Sequence, residues 1–118
     1  MKECKQIERL EQVATLLFDS RLTDLRTAAI ACAETEARLA GLVMAQVAEG
    51  GLPQIAVELA ALNYQRWADV RRAELNQTLA RQTATWMDAR DAARLAFGKT
   101  QALSGVAARL AANSRKQI

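Results

Sequence analysis

The stretch "EGGLPQ", residues 49–54, decides how the rest of the chain folds. It holds two of the five glycines and the only proline of the sequence, at Gly50, Gly51 and Pro53. Gly50 has access to the left-handed conformation that ends many helices, and Gly51 allows the backbone to reverse. Pro53 suits the first turn of a second helix, where its missing N–H costs no hydrogen bond. The stretch therefore predicts a short turn at residues 50–53 between two helices.

Apolar residues on both sides of this turn recur at alternating steps of four and three, which is typical of a coiled coil. Before the turn the main repeat comprises Phe18, Leu22, Leu25, Ala29, Cys32, Glu36, Leu39 and Val43. A frame shifted by one residue precedes it, at Ile7, Leu10, Ala14 and Leu17. After the turn the repeat comprises Leu75, Leu79, Gln82, Trp86, Ala89, Ala93, Ala96, Thr100, Leu103, Ala107 and Leu110.

A turn this short forces the two helices to lie antiparallel. The sequence thus predicts an all-α fold, an antiparallel two-helix coiled-coil hairpin. The hairpin forms a single domain over residues 1–118, with helix one at about 3–49 and helix two at about 53–113.

The turn also predicts which residues face each other. If Glu49 lies opposite Gln54, the numbers of facing residues sum to about 103, so that Phe18 meets Trp86 and Phe97 lies near Ile7. The N-terminal end of helix one would then lie opposite residue 102. The apolar repeat after that point would have no cover within the hairpin, which predicts a partner-binding end.

Composition supports long helices and excludes several other classes. The chain has 25 alanines among 118 residues and only 4% aromatic residues, which fits thin, closely packed helices better than a thick globular core. An apolar content of 51% argues against disorder. No apolar run approaches the roughly 20 residues that span a bilayer. Cys4 and Cys32 lie too far apart on one helix to form a disulfide, so a cytoplasmic protein is expected.

The residues that carry most enzyme chemistry are missing or isolated. The chain has no histidine, and its two cysteines are separated, so neither a general base of that type nor a metal site is expected. Gly98, Lys99 and Thr100 match the end of a phosphate-binding loop, but Ala93 stands where the motif requires its first glycine. We therefore expect no enzyme activity, no cofactor and no small-molecule substrate.

Charge divides unevenly between the two halves of the chain. Residues 1–63 carry a net charge of −3 and residues 64–118 a net charge of +6, so the second helix is basic. Acidic residues interrupt the basic ones around the helix. A solvated coiled-coil face is the favoured interpretation, and a basic nucleic-acid-binding coil is a weaker alternative.

The run "LNQTLARQ", the arginine pair that follows it and the closing "ALSGVAARL" resemble the second helix of the flagellar FliJ family and of its injectisome counterpart, the YscO family. Those proteins are antiparallel helical hairpins. The resemblance implies a non-enzymatic, cytoplasmic stalk and regulator of a type III protein export ATPase, peripheral at the base of the export apparatus. It also implies contacts with the ATPase ring, the export gate and export chaperones.

This resemblance places two partner-binding surfaces on the chain. The end that bears the termini would contact the ATPase ring through Leu103, Val106, Arg109, Leu110, Arg115 and Lys116. The tip of the hairpin would contact the export gate through Leu52, Ile55, Leu59, Tyr64 and Trp67. The alternative function is a helical protein-interaction module that dimerises into a four-helix bundle.

Overall fold

A computed structural model describes residues 2–45 and 54–116, and all of them are helical. Helix α1 is Lys2–Ala45 and helix α2 is Gln54–Lys116. The all-α, two-helix hairpin fold is confirmed. The predicted turn at residues 50–53, and the predicted last residues of helix one, lie outside the described residues. At the other end, α2 continues three residues beyond the predicted residue 113.

The charges at the helix ends favour the helical state, and the threonines are accommodated within it. Glu3 lies in the first turn of α1, and Arg115 and Lys116 lie in the last turn of α2, where each charge is favourable to the helix dipole. Threonine has low helix propensity because its hydroxyl competes for backbone groups. Here the hydroxyls donate instead to the carbonyl four residues earlier, at Thr15, Thr23, Thr27, Thr78, Thr85 and Thr100.

The chain divides into two compact units, and both helices contribute to each. The first unit comprises residues 1–27 and 86–118. Its buried residues are small, namely Ala14, Ala93 and Ala96. The rings of Phe18 and Phe97 pack against each other with centroids 5.5 Å apart and planes tilted by 49°. Small side chains thus allow the helices to approach closely, and one aromatic pair fills the larger space beside them.

The second unit comprises residues 28–85. Its buried apolar residues are Ala28, Leu42, Ala68 and Leu75. Thr35 is also buried, with 2% of its surface exposed, and its hydroxyl donates to Gln82 Oε1 at 2.6 Å. Because a hydroxyl has one hydrogen, the Ala31 carbonyl at 3.2 Å is an alternate acceptor for the same proton. A polar layer therefore joins the two helices inside an otherwise apolar interface.

The predicted repeat of α2 is confirmed, since every one of its eleven positions from Leu75 to Leu110 is buried or half-buried. The same spacing extends back to Ala68. In α1 the repeat runs one residue earlier than predicted at two positions, so that Ala28 and Thr35 are buried. The predicted residues Ala29 and Glu36 are exposed.

The predicted frame shift near the start of α1 is wrong. Half-buried or buried positions run continuously through Ile7, Glu11, Ala14 and Phe18, while Leu10 is exposed. The stem of Glu11 thus takes a position that the sequence pattern assigned to an apolar neighbour. A long carboxylate side chain tolerates this place at the edge of the helix interface because its head remains in water.

The predicted register between the helices is also wrong. The residue numbers of the Phe18–Phe97 pair sum to 115, which is 12 more than predicted. In this first unit Lys2 therefore lies level with about residue 113 of α2. The first residues of α1 therefore lie beyond the level of residue 102 of α2, and Leu103 and Leu110 are half-buried. The predicted uncovered stripe is instead part of the interface between the helices.

In the second unit, the numbers of facing residues also sum to more than the predicted value of about 103. The residue numbers of the Thr35–Gln82 pair sum to 117, and those of the Leu42–Tyr64 pair sum to 106. Ala45 is the last described residue of α1, and it therefore lies level with a residue between about 61 and 72 of α2. Residues 54–60 of α2 consequently extend beyond the described part of α1.

Candidate functional site

The first residues of α2 have apolar side chains on two opposite faces. Successive residues of an α-helix turn by about 100°, which places Leu59 and Leu62 within about 40° of Ile55. Val70 lies about 60° from Ile55 on the same side, whereas the buried Ala68 and Leu75 lie about 200–220° away. We call the exposed side, formed by Ile55, Leu59, Leu62 and Val70, the outer face. It points away from the face of α2 that packs on α1.

Exposure confirms that the outer face has no cover within the described structure. Ile55 is 75% exposed, Leu59 58% and Val70 61%, and every residue from 54 to 63 is exposed. A cluster of large apolar side chains in water indicates an interaction surface more than isolated exposed residues do. The outer face is therefore the main candidate site of the second unit.

Tyr64 belongs to the opposite, inner side of α2. It is half-buried, and its hydroxyl donates to the Leu42 carbonyl at 3.2 Å. This hydrogen bond joins α2 to α1 close to Ala45, the last described residue of α1. This contact is not predictable from the sequence, because it depends on a register that the heptad pattern alone does not determine.

The five residues predicted for the tip surface are therefore divided by the structure. Ile55 and Leu59 lie on the outer face, and Tyr64 contacts α1. Trp67 is 55% exposed at the side of the helix, with its ring centroid 5.7 Å from that of Tyr64. Leu52 lies outside the described residues. Leu62 and Val70 complete the outer face but were missing from the predicted set, although Leu62 continues the spacing of Ile55 and Leu59.

The six residues predicted for the other end are divided as well. Leu103 and Leu110 are half-buried, and the structure places them in the interface with α1. Val106, Arg109, Arg115 and Lys116 are exposed. The exposed members form a mainly basic surface with one aliphatic side chain.

Ion pairs of the described residues each join side chains of the same helix. They are Arg21–Asp24, Arg71–Glu74, Arg72–Asp69 and Arg90–Asp91, at 3.0–3.6 Å. Exposed pairs of this kind contribute about 0–1 kcal/mol. The two halves of the sequence have opposite net charges, but these ion pairs do not join the two helices.

Trp86 and Arg90 form a separate contact one helical turn apart. The guanidinium carbon of Arg90 lies 5.2 Å from the centre of the Trp86 ring, within the range of a cation–π interaction. Nε of Arg90 is buried without a hydrogen bond, and the carboxylate of Asp91 lies 3.6 Å from it, so the ion pair and the aromatic face together compensate for its burial. Trp86 is half-buried as the repeat predicts, but the aromatic partner of Phe18 is Phe97.

Residues considered for enzyme chemistry are not assembled into a site. In residues 2–45 and 54–116, no group of three or more His, Cys, Asp or Glu side chains could hold a metal ion. Cys4 is exposed and Cys32 half-buried. Gly98, Lys99 and Thr100 lie inside α2, and the Thr100 hydroxyl donates to the Ala96 carbonyl at 3.0 Å. Their backbone therefore has helical geometry, which differs from that of a phosphate-binding loop.

Neither described helix combines the length and the apolar character needed to cross a membrane. Comparisons of the chain with models of known protein families, with curated proteins and with solved structures gave no match. Function is therefore argued from the surfaces described above and from the resemblance of the second helix.

Proposed function

We propose that this chain is a non-enzymatic coiled-coil stalk and regulator of a type III protein export ATPase. The observation that carries the proposal is the heptad repeat of α2, unbroken from Ala68 to Leu110. Packing along this repeat leaves most of the surface of both helices available to other proteins. The resemblance of "LNQTLARQ" and "ALSGVAARL" to the FliJ and YscO families supports the choice of partner.

The ATPase ring would bind the end of α2 through its exposed residues. Val106 offers an apolar contact, and Arg109, Arg115 and Lys116 offer positive charge. Leu103 and Leu110 act indirectly in this proposal, because they hold α2 against α1. The charges would accelerate the encounter with an acidic ring, and the apolar contact would contribute affinity.

The other partners would bind nearer the tip. The exposed side chains of Ile55, Leu59 and Trp67 suit an apolar groove of an export gate protein, and export chaperones are further partners. The mechanism is mechanical: an asymmetric helical hairpin inside a ring favours hexamer assembly and couples ATP hydrolysis to gate engagement. The protein would work in the cytoplasm at the base of the export apparatus.

Co-elution of the full chain with the export ATPase encoded in the same genome tests this proposal. The chain is mixed with the ATPase, with and without a non-hydrolysable ATP analogue, and separated by size. We expect nucleotide-dependent co-elution with the assembled ring. Separation of the two proteins under all conditions would contradict the proposal.

A pair of matched variants locates the contact on α2. Val106→Asp should weaken ring binding, whereas Leu95→Asp, at another exposed aliphatic position of α2, should leave it unchanged. Leu110→Asp is a poorer probe because it also disrupts the interface with α1. Equal binding by both Asp variants would place the contact elsewhere.

Two other functions have separate signatures. The exposed outer face favours the alternative of a self-associating interaction module, which is developed below. A nucleic-acid-binding coil would depend on the basic residues of α2, and its affinity would fall steeply as salt concentration rises. An apolar contact with the ATPase ring would persist at the same salt concentrations.

A further inference from the structure

The outer face of α2 is apolar, exposed and directed away from α1. The described part of α1 packs on the opposite side of α2, where Ala68 and Leu75 are buried, and leaves Ile55, Leu59 and Leu62 exposed. We propose that this face binds the same face of a second copy of the chain, in an antiparallel and two-fold symmetric dimer.

The charges on and beside the outer face favour a second copy over an unrelated partner. Arg66 lies within the face, between Leu62 and Val70, and Glu58 lies at its edge. Neither takes part in the ion pairs of residues 2–45 and 54–116. They are eight residues apart, or about 12 Å along the helix, which is too far for a pair within one chain.

Antiparallel pairing brings these two charges together across the dimer. When the two-fold axis passes between Leu59 and Leu62, each Leu59 packs level with Leu62 of the second copy. Arg66 then covers Ile55 of that copy with its aliphatic stem, and its guanidinium lies within about one helical turn of the other Glu58. A parallel arrangement would instead place Glu58 against Glu58 and Arg66 against Arg66. Complementarity of charge therefore selects the antiparallel, isologous contact.

The size of the face predicts weak, reversible association. Three aliphatic side chains from each copy bury roughly 60–120 Å² each, which gives about 500 Å² of apolar surface. A standard stable interface buries about 1,600 Å² in total, of which somewhat more than half is apolar. The dimer should thus have a dissociation constant on the order of 100 µM.

Sedimentation velocity of the full chain tests the dimer, at concentrations from about 10 µM to about 1 mM. The wild-type chain should shift from monomer to dimer over this range. Glu58→Arg and Arg66→Glu should each weaken association by roughly tenfold to a hundredfold at low salt, because each brings like charges together twice. Both residues are exposed, so neither substitution affects the packing of the hairpin.

A mixture of the two single variants distinguishes a second copy from any other occupant. Glu58→Arg in one chain faces Arg66→Glu in the other, and the remaining wild-type charges also face each other, so the mixture should associate as strongly as wild type. A monomeric wild-type chain throughout the range would overturn the proposal. It would also be overturned if the mixture associated no better than either variant alone.

A pair of aspartate variants tests the apolar part of the contact. Leu59→Asp should reduce association at least about a hundredfold, because it removes two buried leucines from the symmetric interface. Leu95→Asp changes an equally exposed leucine outside the outer face and should leave association unchanged. Equal association of the Leu59→Asp and Leu95→Asp chains would contradict the assignment of the outer face as the dimer contact. None of these results depends on the export ATPase, so the dimer and the proposed ATPase contact fail or stand independently, whereas the dimer and the proposed gate contact would compete for Ile55 and Leu59.

Discussion

The buried polar layer of the second unit is formed by Thr35 and Gln82. Substituting Thr35 should lower the free energy of unfolding, whereas substituting Gln82 should raise it. Thr35 Oγ1 lies 2.6 Å from Gln82 Oε1 and 3.2 Å from the Ala31 carbonyl. In Thr35→Val, the shape of the side chain is kept and its hydroxyl is lost, so the Gln82 amide loses its partner. In Gln82→Met, the length of the side chain is kept, and the Thr35 hydroxyl still donates to the Ala31 carbonyl.

The expected changes in the free energy of unfolding depend on whether each substitution leaves a buried polar group without a partner. A net hydrogen bond contributes about 0.5–1.5 kcal/mol, and a buried polar group without a partner costs about 1–3 kcal/mol. Gln82 is half-buried and reaches water in part, so Thr35→Val should lower the free energy of unfolding by about 1–2 kcal/mol. Gln82→Met replaces a half-buried amide by an apolar group and should raise the free energy of unfolding by up to about 1 kcal/mol.

Urea unfolding followed by circular dichroism measures both effects and their coupling. In the Gln82→Met background, Thr35→Val leaves no amide without a partner and should cost little. The double-mutant cycle should therefore give a coupling free energy of about 1–2 kcal/mol. Destabilisation of similar size by both single variants, with no coupling, would show that these side chains do not form a hydrogen bond.

Two further substitutions test contacts that depend on the same helix interface. Tyr64→Phe removes the hydroxyl that donates to the Leu42 carbonyl and should lower the free energy of unfolding by about 0.5–1.5 kcal/mol, measured by urea unfolding. An unchanged stability would mean that this hydrogen bond does not contribute to the helix interface. Trp86→Ala should cost about 2 kcal/mol, less than full burial would imply, because the ring is half-buried. Trp86→Phe should retain most of that stability in thermal unfolding, and a larger loss than for Trp86→Ala would refute a packing role.

Much of the fold could be predicted because a heptad repeat is a local property of each helix. The repeat of α2 carries large or small apolar residues at nearly every expected position, so its buried side was correctly identified from Leu75 to Leu110. In α1 the alanines are less informative, because Ala28 and Ala29 fit the pattern almost equally well. The structure buries Ala28.

The register between the helices could not be predicted from the repeat. Sliding one helix by a multiple of about 3.5 residues preserves an apolar interface, so several registers are compatible with the same pattern. The assumption of a tight turn selected a sum of about 103, whereas the Phe18–Phe97 pair gives 115. The difference of 12 residues lies between three and four such steps. The choice depends on contacts far apart in sequence, including this aromatic pair and the Thr35–Gln82 layer.

This error of register also explains which surface residues were misassigned. The sequence predicts Leu103 and Leu110 to be uncovered only because it predicts a register in which α1 ends too early. It predicts Tyr64 to face outward because the proximity of Tyr64 to Leu42 is not visible in the sequence. By contrast, the spacing of Ile55 and Leu59 identified the outer face correctly, since both lie on one side of a single helix.

Every surface assignment above depends on the pairing of the helices, which short-range chemical cross-linking tests directly. Phe18→Cys is combined with either Phe97→Cys or Trp86→Cys, in a chain that also carries Cys4→Ser and Cys32→Ala. The ring centroids of Phe18 and Phe97 are 5.5 Å apart, whereas Trp86 lies 11 residues away from Phe97, or about 16 Å along α2. With a short bifunctional maleimide, an efficient cross-link within one chain is expected for positions 18 and 97 but not for positions 18 and 86. Preferential cross-linking of positions 18 and 86 would contradict the register and the surfaces derived from it.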